Sequence, residues 1–416
     1  MTRIERLSQS VVNKIAAGEV IERPASVVKE LLENAIDAGA TRIDVAIEQG
    51  GSQLVRIADN GHGITAEQLP LAVASHATSK IRQADDLFHV ETLGFRGEAL
   101  ASIAEISQFV IRSRAHDQME GAQLEVAGGV VGEVIPCGGT PGTVIEVRNL
   151  FFNTPVRRKF LRGVQTEMGH ITEALTRIAL AHDEVHFTLR HNERSLIDLP
   201  AGDWRSRITT LLGHDIGEVL LPVESVEGPI KLRGYVADPS LSRSHNRMQY
   251  VFLNGRFIRD RSILHAITEA YRGLMMVGRY PVAFLRLTIP ADAVDVNVHP
   301  TKLEVRFVDS GSIYGQLLAT IRSRFLTTDL TARVRPEAMG STMEAARPSE
   351  HVAGVGGGGE PARQIRLDLP HPPPTPLPLP TPSAMREFVA AAAPAGSPAA
   401  TPEPGGETRW ASPTAE

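Results

Sequence analysis

One cysteine, Cys137, stands in 416 residues. That excludes a disulfide framework and any cysteine-rich zinc site, and it fits a reducing compartment. No apolar run approaches the roughly 18 residues needed to span a membrane. The opening Met1-Thr2-Arg3-Ile4-Glu5 lacks the charged-then-apolar pattern of a signal peptide, so the expectation is a soluble cytoplasmic protein. Basic excess is missing too. A net charge of −5 does not mark a dedicated nucleic-acid protein and leaves local basic patches as the route to one. Internal repeats are absent. So is any Gly-x-x-x-x-Gly-Lys-Ser/Thr string, which removes the P-loop from consideration.

What is present is enough apolar content, 42%, for real cores, and a length that suggests two or three domains. Composition changes near residue 330. Up to there, periodic apolar segments alternate with short turns. Beyond it come Gly356-Gly357-Gly358-Gly359, a Pro-rich run from Pro372 to Pro378, and Ala/Pro-rich sequence. Pro removes backbone donors and Gly is costly to order, so residues 331–416 read as a disordered linker or tail.

The stretch 26–39 is read at helical period. Val28, Leu31, Leu32, Ala35 and Ile36 share one side, and Glu30, Glu33, Asn34 and Asp37 the other, at the i, i+3, i+4, i+7 spacing that stacks side chains. Ser26 is placed as its cap, with Pro24 helping to start it, and Gly39 as its stop. By itself an acidic stripe is a solvated face. Two strands follow, 43–47 and 54–58, joined at Gly50-Gly51 and ending at Asp59-Asn60-Gly61-His62-Gly63. Gly61-x-Gly63-x-x-Ala66 superficially matches a dinucleotide fingerprint, but it follows a hairpin rather than opening a parallel βαβ unit. Asp59 at a strand end suits another kind of contact, because a carboxylate accepts the exocyclic amine of adenine, which guanine replaces by a carbonyl. Gly61 and Gly63 let backbone approach a flat base. Further on, Ser75-His76-Ala77-Thr78-Ser79-Lys80-Ile81 reads as a mobile loop. Gly94-Phe95-Arg96-Gly97-Glu98-Ala99-Leu100 puts glycines before an apolar helix, where free N–H groups can meet phosphate. Gly142-Thr143 leads a strand. Phe151-Phe152-Asn153-Thr154-Pro155 runs into Arg157, Arg158, Lys159 and Phe160.

Glu30-x-x-Glu33-Asn34-x-x-Asp37, Asp59-Asn60-Gly61-x-Gly63, Gly94-x-x-Gly97 and Gly142-Thr143 resemble the four ordered motifs of the GHKL ATPase superfamily, which includes gyrase B-type topoisomerases, histidine kinases and heat-shock chaperone ATPases. Ile15-Ala16-Ala17-Gly18-Glu19-Val20 with Arg23-Pro24, Leu150-Phe151-Phe152-Asn153-Thr154-Pro155, and Asn297-Val298-His299-Pro300-x-Lys302 narrow the resemblance, over about residues 1–330, to the mismatch-repair MutL family. That resemblance implies an α/β (α+β sandwich) fold. An ATPase domain with a mixed, mainly antiparallel sheet occupies 1–205, and an α/β transducer domain occupies 206–330.

The resemblance also implies roles, and ATP and Mg²⁺ as cofactors. Glu30 matches the general base and Asn34 the Mg²⁺ ligand. Asp59, Gly63 and Thr143 match the adenine pocket. Thr78, Ser79 and Lys80, with Gly94, Phe95, Arg96, Gly97, Glu98, Ala99 and Leu100, match the phosphate lid. Lys302 matches a lysine reaching the γ-phosphate from the second domain. Glu33 and Asp37 stay open between support and function. For DNA, bound without sequence preference, the candidates are Arg157, Arg158 and Lys159 and, around Asn254-Gly255, Arg256, Arg259 and Arg261. The implied partners are a MutS-type mismatch-recognition protein, a downstream endonuclease or helicase, and a second copy joined on ATP binding. The alternative is another GHKL ATPase, such as a type II topoisomerase subunit. A third reading is a nucleotide-gated DNA clamp for which hydrolysis is nearly incidental. The family's C-terminal dimerisation domain, which in many members holds a metal endonuclease site, has no counterpart here, so the expectation is a truncated or shortened chain.

Overall fold

The computed structural model describes residues 17–18, 20–80, 92–94, 97–295 and 305–327. All of these fall within one compact unit, Met1–Glu337.

Helix α1 spans Pro24–Asp37. Proline at its first position supplies a preset φ and lacks an N–H that the first turn would leave unbonded anyway. Arg23 is the cap, without a side-chain bond, so Ser26 sits inside the first turn rather than capping it. The helix stops before Gly39, as expected. Val27, Val28, Leu31, Leu32 and Ala35 are buried.

Nine strands among the described residues form the larger sheet. They are β1 (Arg42–Glu48), β2 (Leu54–Asp59), β3 (Gln108–Arg114), β4 (Gly121–Ala127), β5 (Val130–Val131), β6 (Ile135–Cys137), β7 (Gly142–Arg148), β8 (His186–His191) and β9 (Arg194–Leu199). The order is β5-β4-β3-β7-β2-β1-β8-β9, with β6 on β4. All pairs are antiparallel except β1 with β8, the mixed, mainly antiparallel sheet that was expected. Alternation along the strands sends Ile43, Val45, Val55, Ile57, Phe109, Ile111, Val147, Phe187 and Leu189 into one core. There they meet α1, α3 (Ala99–Glu105) and α5 (Val164–Ala181). Between β2 and α3 lies the single-turn α2 (Leu69–Ala72), and before α5 lies α4 (Pro155–Phe160). The other sheet face is charged: Glu146 accepts from Arg112 at 3.0 Å and Arg148 at 2.7 Å, so it needs no cover.

After α6 (Trp204–Leu212) and α7 (His214–Glu218), a second sheet runs β10-β11-β16-β13-β14. Its strands are Leu220–Glu227, Ile230–Ala237, Ala283–Thr288, Gln249–Leu253 and Arg256–Ile258 respectively; β12 (Ser242–Arg243) and β15 (Tyr280–Pro281) pair separately. Every residue of β13 is buried because helices cover both faces. Val251 and Leu253 meet α8 (Arg261–Ala270) and α9 (Ser310–Leu326), while Tyr250 and Phe252 share a core with Trp204 and Ile208 of α6 and with Leu180 at the end of α5. No helix among the described residues is long and apolar enough to cross a membrane.

Candidate nucleotide site

The polar stripe of α1 lines a cavity of about 1700 Å³. At one end Lys29 bridges Glu30 and Glu33, each at 2.9 Å. Burial pulls the Lys29 pKa down, but the Glu33 and Glu30 carboxylates more than offset this and leave it raised. One turn on, Asn34 Oδ1 accepts from Lys80 Nζ at 2.9 Å. Asp37 accepts from Lys80 Nζ at 2.6 Å and from the main-chain N–H groups of Leu93 and Gly94 at 2.9 and 3.0 Å. One helical face therefore holds both lid strings, and Asp37, open between support and function in sequence, ties them together.

The opposite wall is made by strand ends. Asp59 closes β2 and lies opposite Thr143 at the start of β7, which lies opposite Ser113 on β3. Asp59 Oδ1 accepts from Gly61 N–H at 2.9 Å. Burial pushes the Asp59 carboxyl up to about 6, against the opposing pull of N–H bonds from Gly61 and Thr143 and of nearby His62. Ser113 Oγ joins Thr143 Oγ1 at 2.9 Å and takes the Ile64 N–H at 2.8 Å. Sequence reading missed Ser113, because its place is fixed only by the β3–β7 register. Gly63, at φ +74°, lies against the Arg114 carbonyl where any Cβ would collide, so its position admits glycine alone. Gly97, at φ +62°, packs likewise on the Ala77 carbonyl, and its own carbonyl accepts from His76 N–H at 3.1 Å.

Glu30, Asn34, Asp59, Gly63, Thr78, Ser79, Lys80, Gly94, Gly97, Glu98, Ala99, Leu100 and Thr143 thus line one cavity. Phe95, Arg96 and Lys302 lie outside the described residues. Arg158 and Lys159 are exposed on α4, apart from this cavity, and so is Arg261 at the start of α8; Arg157 and Arg259 are half-buried. Arg256 corrects its expected place among DNA contacts. It is 9% exposed and lines the nucleotide cavity. Chain proximity grouped it with Arg259 and Arg261, but β14 alternates, sending Arg256 and Ile258 inward together.

The described residues hold no group of three or more His, Cys, Asp and Glu arranged for a metal. The donors facing the cavity are an amide oxygen and carboxylates, hard ligands suited to Mg²⁺ when phosphates and water complete its shell. The Lys80 ammonium against Asn34 Oδ1 is a stand-in cation, so this oxygen already faces positive charge.

A carboxylate at a strand end, an acidic helix, the Thr78-Ser79-Lys80 segment and the glycine-bearing string from Gly94, without a P-loop, mark the gyrase B/histidine kinase/heat-shock chaperone class of ATPases. The family model for histidine kinase-, DNA gyrase B- and HSP90-like ATPases matches residues 21–128, and that for the DNA mismatch repair protein C-terminal domain matches 208–326. The chain belongs to the MutL family of DNA mismatch repair proteins and carries its ATPase domain. It is 48% identical over 322 residues to DNA mismatch repair protein MutL of Geotalea uraniireducens, covering 77% of this chain and 54% of that one. It is 48% identical over 350 residues to the protein of the same name from Xylella fastidiosa, covering 83% and 56%. The chain spans about half the length of these curated relatives. Among solved structures, the Aquifex aeolicus MutL ATPase domain complexed with ADP is 32% identical with a TM-score of 0.51, covering 65% of this chain and 93% of that one.

Proposed function

We propose that this chain is a mismatch-repair ATPase that works as an ATP-gated dimeric clamp on DNA, coupling mismatch recognition by a MutS-type protein to downstream nuclease or helicase steps in the cytoplasm. Residues 1–205 form the ATPase domain and 206–330 the transducer; the segment 331–416, expected as a linker or tail, lies outside the described residues. The observation that carries the reading is the convergence of Glu30, Asn34, Asp59 and the two lid strings on one cavity. The topoisomerase alternative gives way to the family match.

In this reading Asp59 accepts the exocyclic amine of adenine, with Thr143 beside it and Gly63 giving the base close passage. The lid strings, from Thr78 to Lys80 and from Gly94 to Leu100, enclose the phosphates. Glu30 takes a proton from water as the water oxygen bonds to the γ-phosphorus and the bond to the β,γ-bridging oxygen breaks; ADP leaves with that electron pair. Lys29, bound to Glu30 and Glu33, holds the carboxylates apart from the phosphates until nucleotide arrives. Asn34 would hold Mg²⁺, which neutralises phosphate charge when bound. Lys80 must give up Asn34 for that to happen. Lys302 reaches the γ-phosphate and loses its anchor on hydrolysis, which releases the second domain. Two closed copies form a positively lined groove that holds DNA by its backbone.

Glu30→Ala separates these steps. The variant is expected to bind a non-hydrolysable ATP analogue and to shift from monomer to dimer on size exclusion as the parent does, while turnover falls at least about 100-fold. Unchanged turnover would remove Glu30 as the base. A parent that stays monomeric with the analogue would remove the clamp.

A further inference from the structure

Arg256 joins two parts of the molecule that the nucleotide reading treats separately. It opens β14, the edge strand of the second sheet, directly after the Asn254-Gly255 turn. Its side chain leaves that sheet and enters the cavity beside α1. There Nη2 donates to the main-chain carbonyls of Thr92 at 3.1 Å and Leu93 at 3.0 Å. The next residue on, Gly94, begins the glycine-bearing lid string. On the other side of the same short segment, Asp37 takes the N–H groups of Leu93 and Gly94. Residues 92–94 are therefore held from both sides, by their amides to α1 and by their carbonyls to the second sheet.

Both grips are charge-assisted, the stronger kind of hydrogen bond. Burial lowers the Arg256 pKa, and Glu33, Asp37 and Glu30 oppose that shift. The guanidinium thus feels the carboxylates of α1 while its Nη2 is spent on residues 92 and 93. If the lid string closes over phosphates, these carbonyls must either carry Arg256 with them or release it. Release leaves a buried donor unsatisfied, which is costly. Motion of Arg256 passes straight into the second sheet. β14 pairs with the fully buried β13, and Phe257 packs against Tyr250 and Phe252 of β13 and under the Arg177 guanidinium of α5, 4.5 Å from the ring centre.

We infer that Arg256 is a positioning residue that couples the base of the nucleotide lid to the second sheet, by a route separate from Lys302. The inference rests on the ATPase reading above, and the test keeps the two apart.

The experiment is hydrogen exchange on the full chain, with and without a non-hydrolysable ATP analogue at saturating concentration for each protein. Fluorescent ADP serves as an independent check that the site binds. In the parent, the analogue is expected to change exchange both at residues 92–97 and at residues 249–258. In Arg256→Met, the nucleotide-free amides at 92–94 should exchange at least about tenfold faster, the factor one charge-assisted hydrogen bond supplies, and the response at 249–258 should disappear while that at 92–97 persists. Arg256→Lys, which keeps the charge but whose shorter side chain ends short of Nη2, the one nitrogen that donates to both carbonyls, should lose most of the same response.

A parent that binds fluorescent ADP without any change at 249–258 overturns the coupling even if neither variant folds. A full response at 249–258 in Arg256→Met, or a parent-like Arg256→Lys, overturns it as well. A parent that binds no nucleotide overturns the ATPase reading and, with it, the coupling that rests on it.

Discussion

Asp59 shows how one residue's surroundings set the conditions under which the whole site works. Its carboxyl titrates near 6 because burial outweighs the N–H groups that hold its anion. Only the ionised form is a pure acceptor for an exocyclic amine; the neutral acid presents an O–H to the same amine and loses a partner. Adenine-nucleotide affinity is therefore expected to be flat above about pH 7 and to weaken as pH falls through about 6, approaching tenfold per unit below it. A fluorescent-ADP titration from pH 5 to 8 checks this. Asp59→Asn should bind weakly at every pH with the acid limb gone. A parent with equal affinity at pH 5 and 7.5 would show that the carboxylate's charge plays no part. Lys29 acts at the same scale on the other carboxylates. It pairs with Glu30 and Glu33 at 2.9 Å, so under the proposed role of Glu30 as base that pair must open before water is activated.

At the scale of elements, the join between the two sheets depends on how α5 ends. Its last turn is closed by Arg207 from α6 rather than by a glycine. Arg207 is 3% exposed and donates to the carbonyls of Ala179, Asp183, Val185 and Pro200 at 2.8–3.3 Å, over the face of Phe187. Burial lowers its pKa while Asp183 and Glu184 oppose the shift. Arg207→Met should cost about 3 kcal/mol in urea unfolding, because it orphans several buried carbonyls at once. Arg207→Lys should recover little, since an ammonium cannot fork across four acceptors. A lysine variant as stable as the parent would mean that charge alone suffices there.

Elements of this kind mark what the sequence could and could not disclose. α1, β1 and β2 were legible because their periods of 3.6 and 2 lie within a dozen residues. So was Asp59 at a strand end. Asp37 meets Leu93 from 56 positions away, and Arg256 meets Leu93 from 163. No local period encodes either contact, so one residue was left without a role and the other was grouped with its chain neighbours. Ser26 failed for a smaller reason: a capping residue type stood two positions inside a helix that proline had already begun.

For the whole molecule, charge sets how the proposed DNA contact could form. A chain of net charge −5 gains nothing from its overall field, so binding must come from patches that the fold sets aside. Arg158 and Lys159 are exposed on α4, and that short helix buries no residue; it spends its surface on charge. Arg261 is exposed at the start of α8. Arg256, buried in the nucleotide cavity, leaves fewer exposed candidate cations per copy, a shortfall that the proposed pairing of two copies would offset. Backbone contacts of this kind release counterions, and each one contributes about 0.9 to the slope of log affinity against log salt. Arg158→Glu with Lys159→Glu should therefore flatten that slope on random-sequence duplex by about 2 per copy engaged. The flattening should be roughly twice as large with a non-hydrolysable ATP analogue as without, since closure would bring both copies' patches onto one duplex. A slope that survives the double reversal would place the DNA surface away from α4. A slope that falls equally with and without the analogue would mean that single copies bind DNA and that closure adds no contacts.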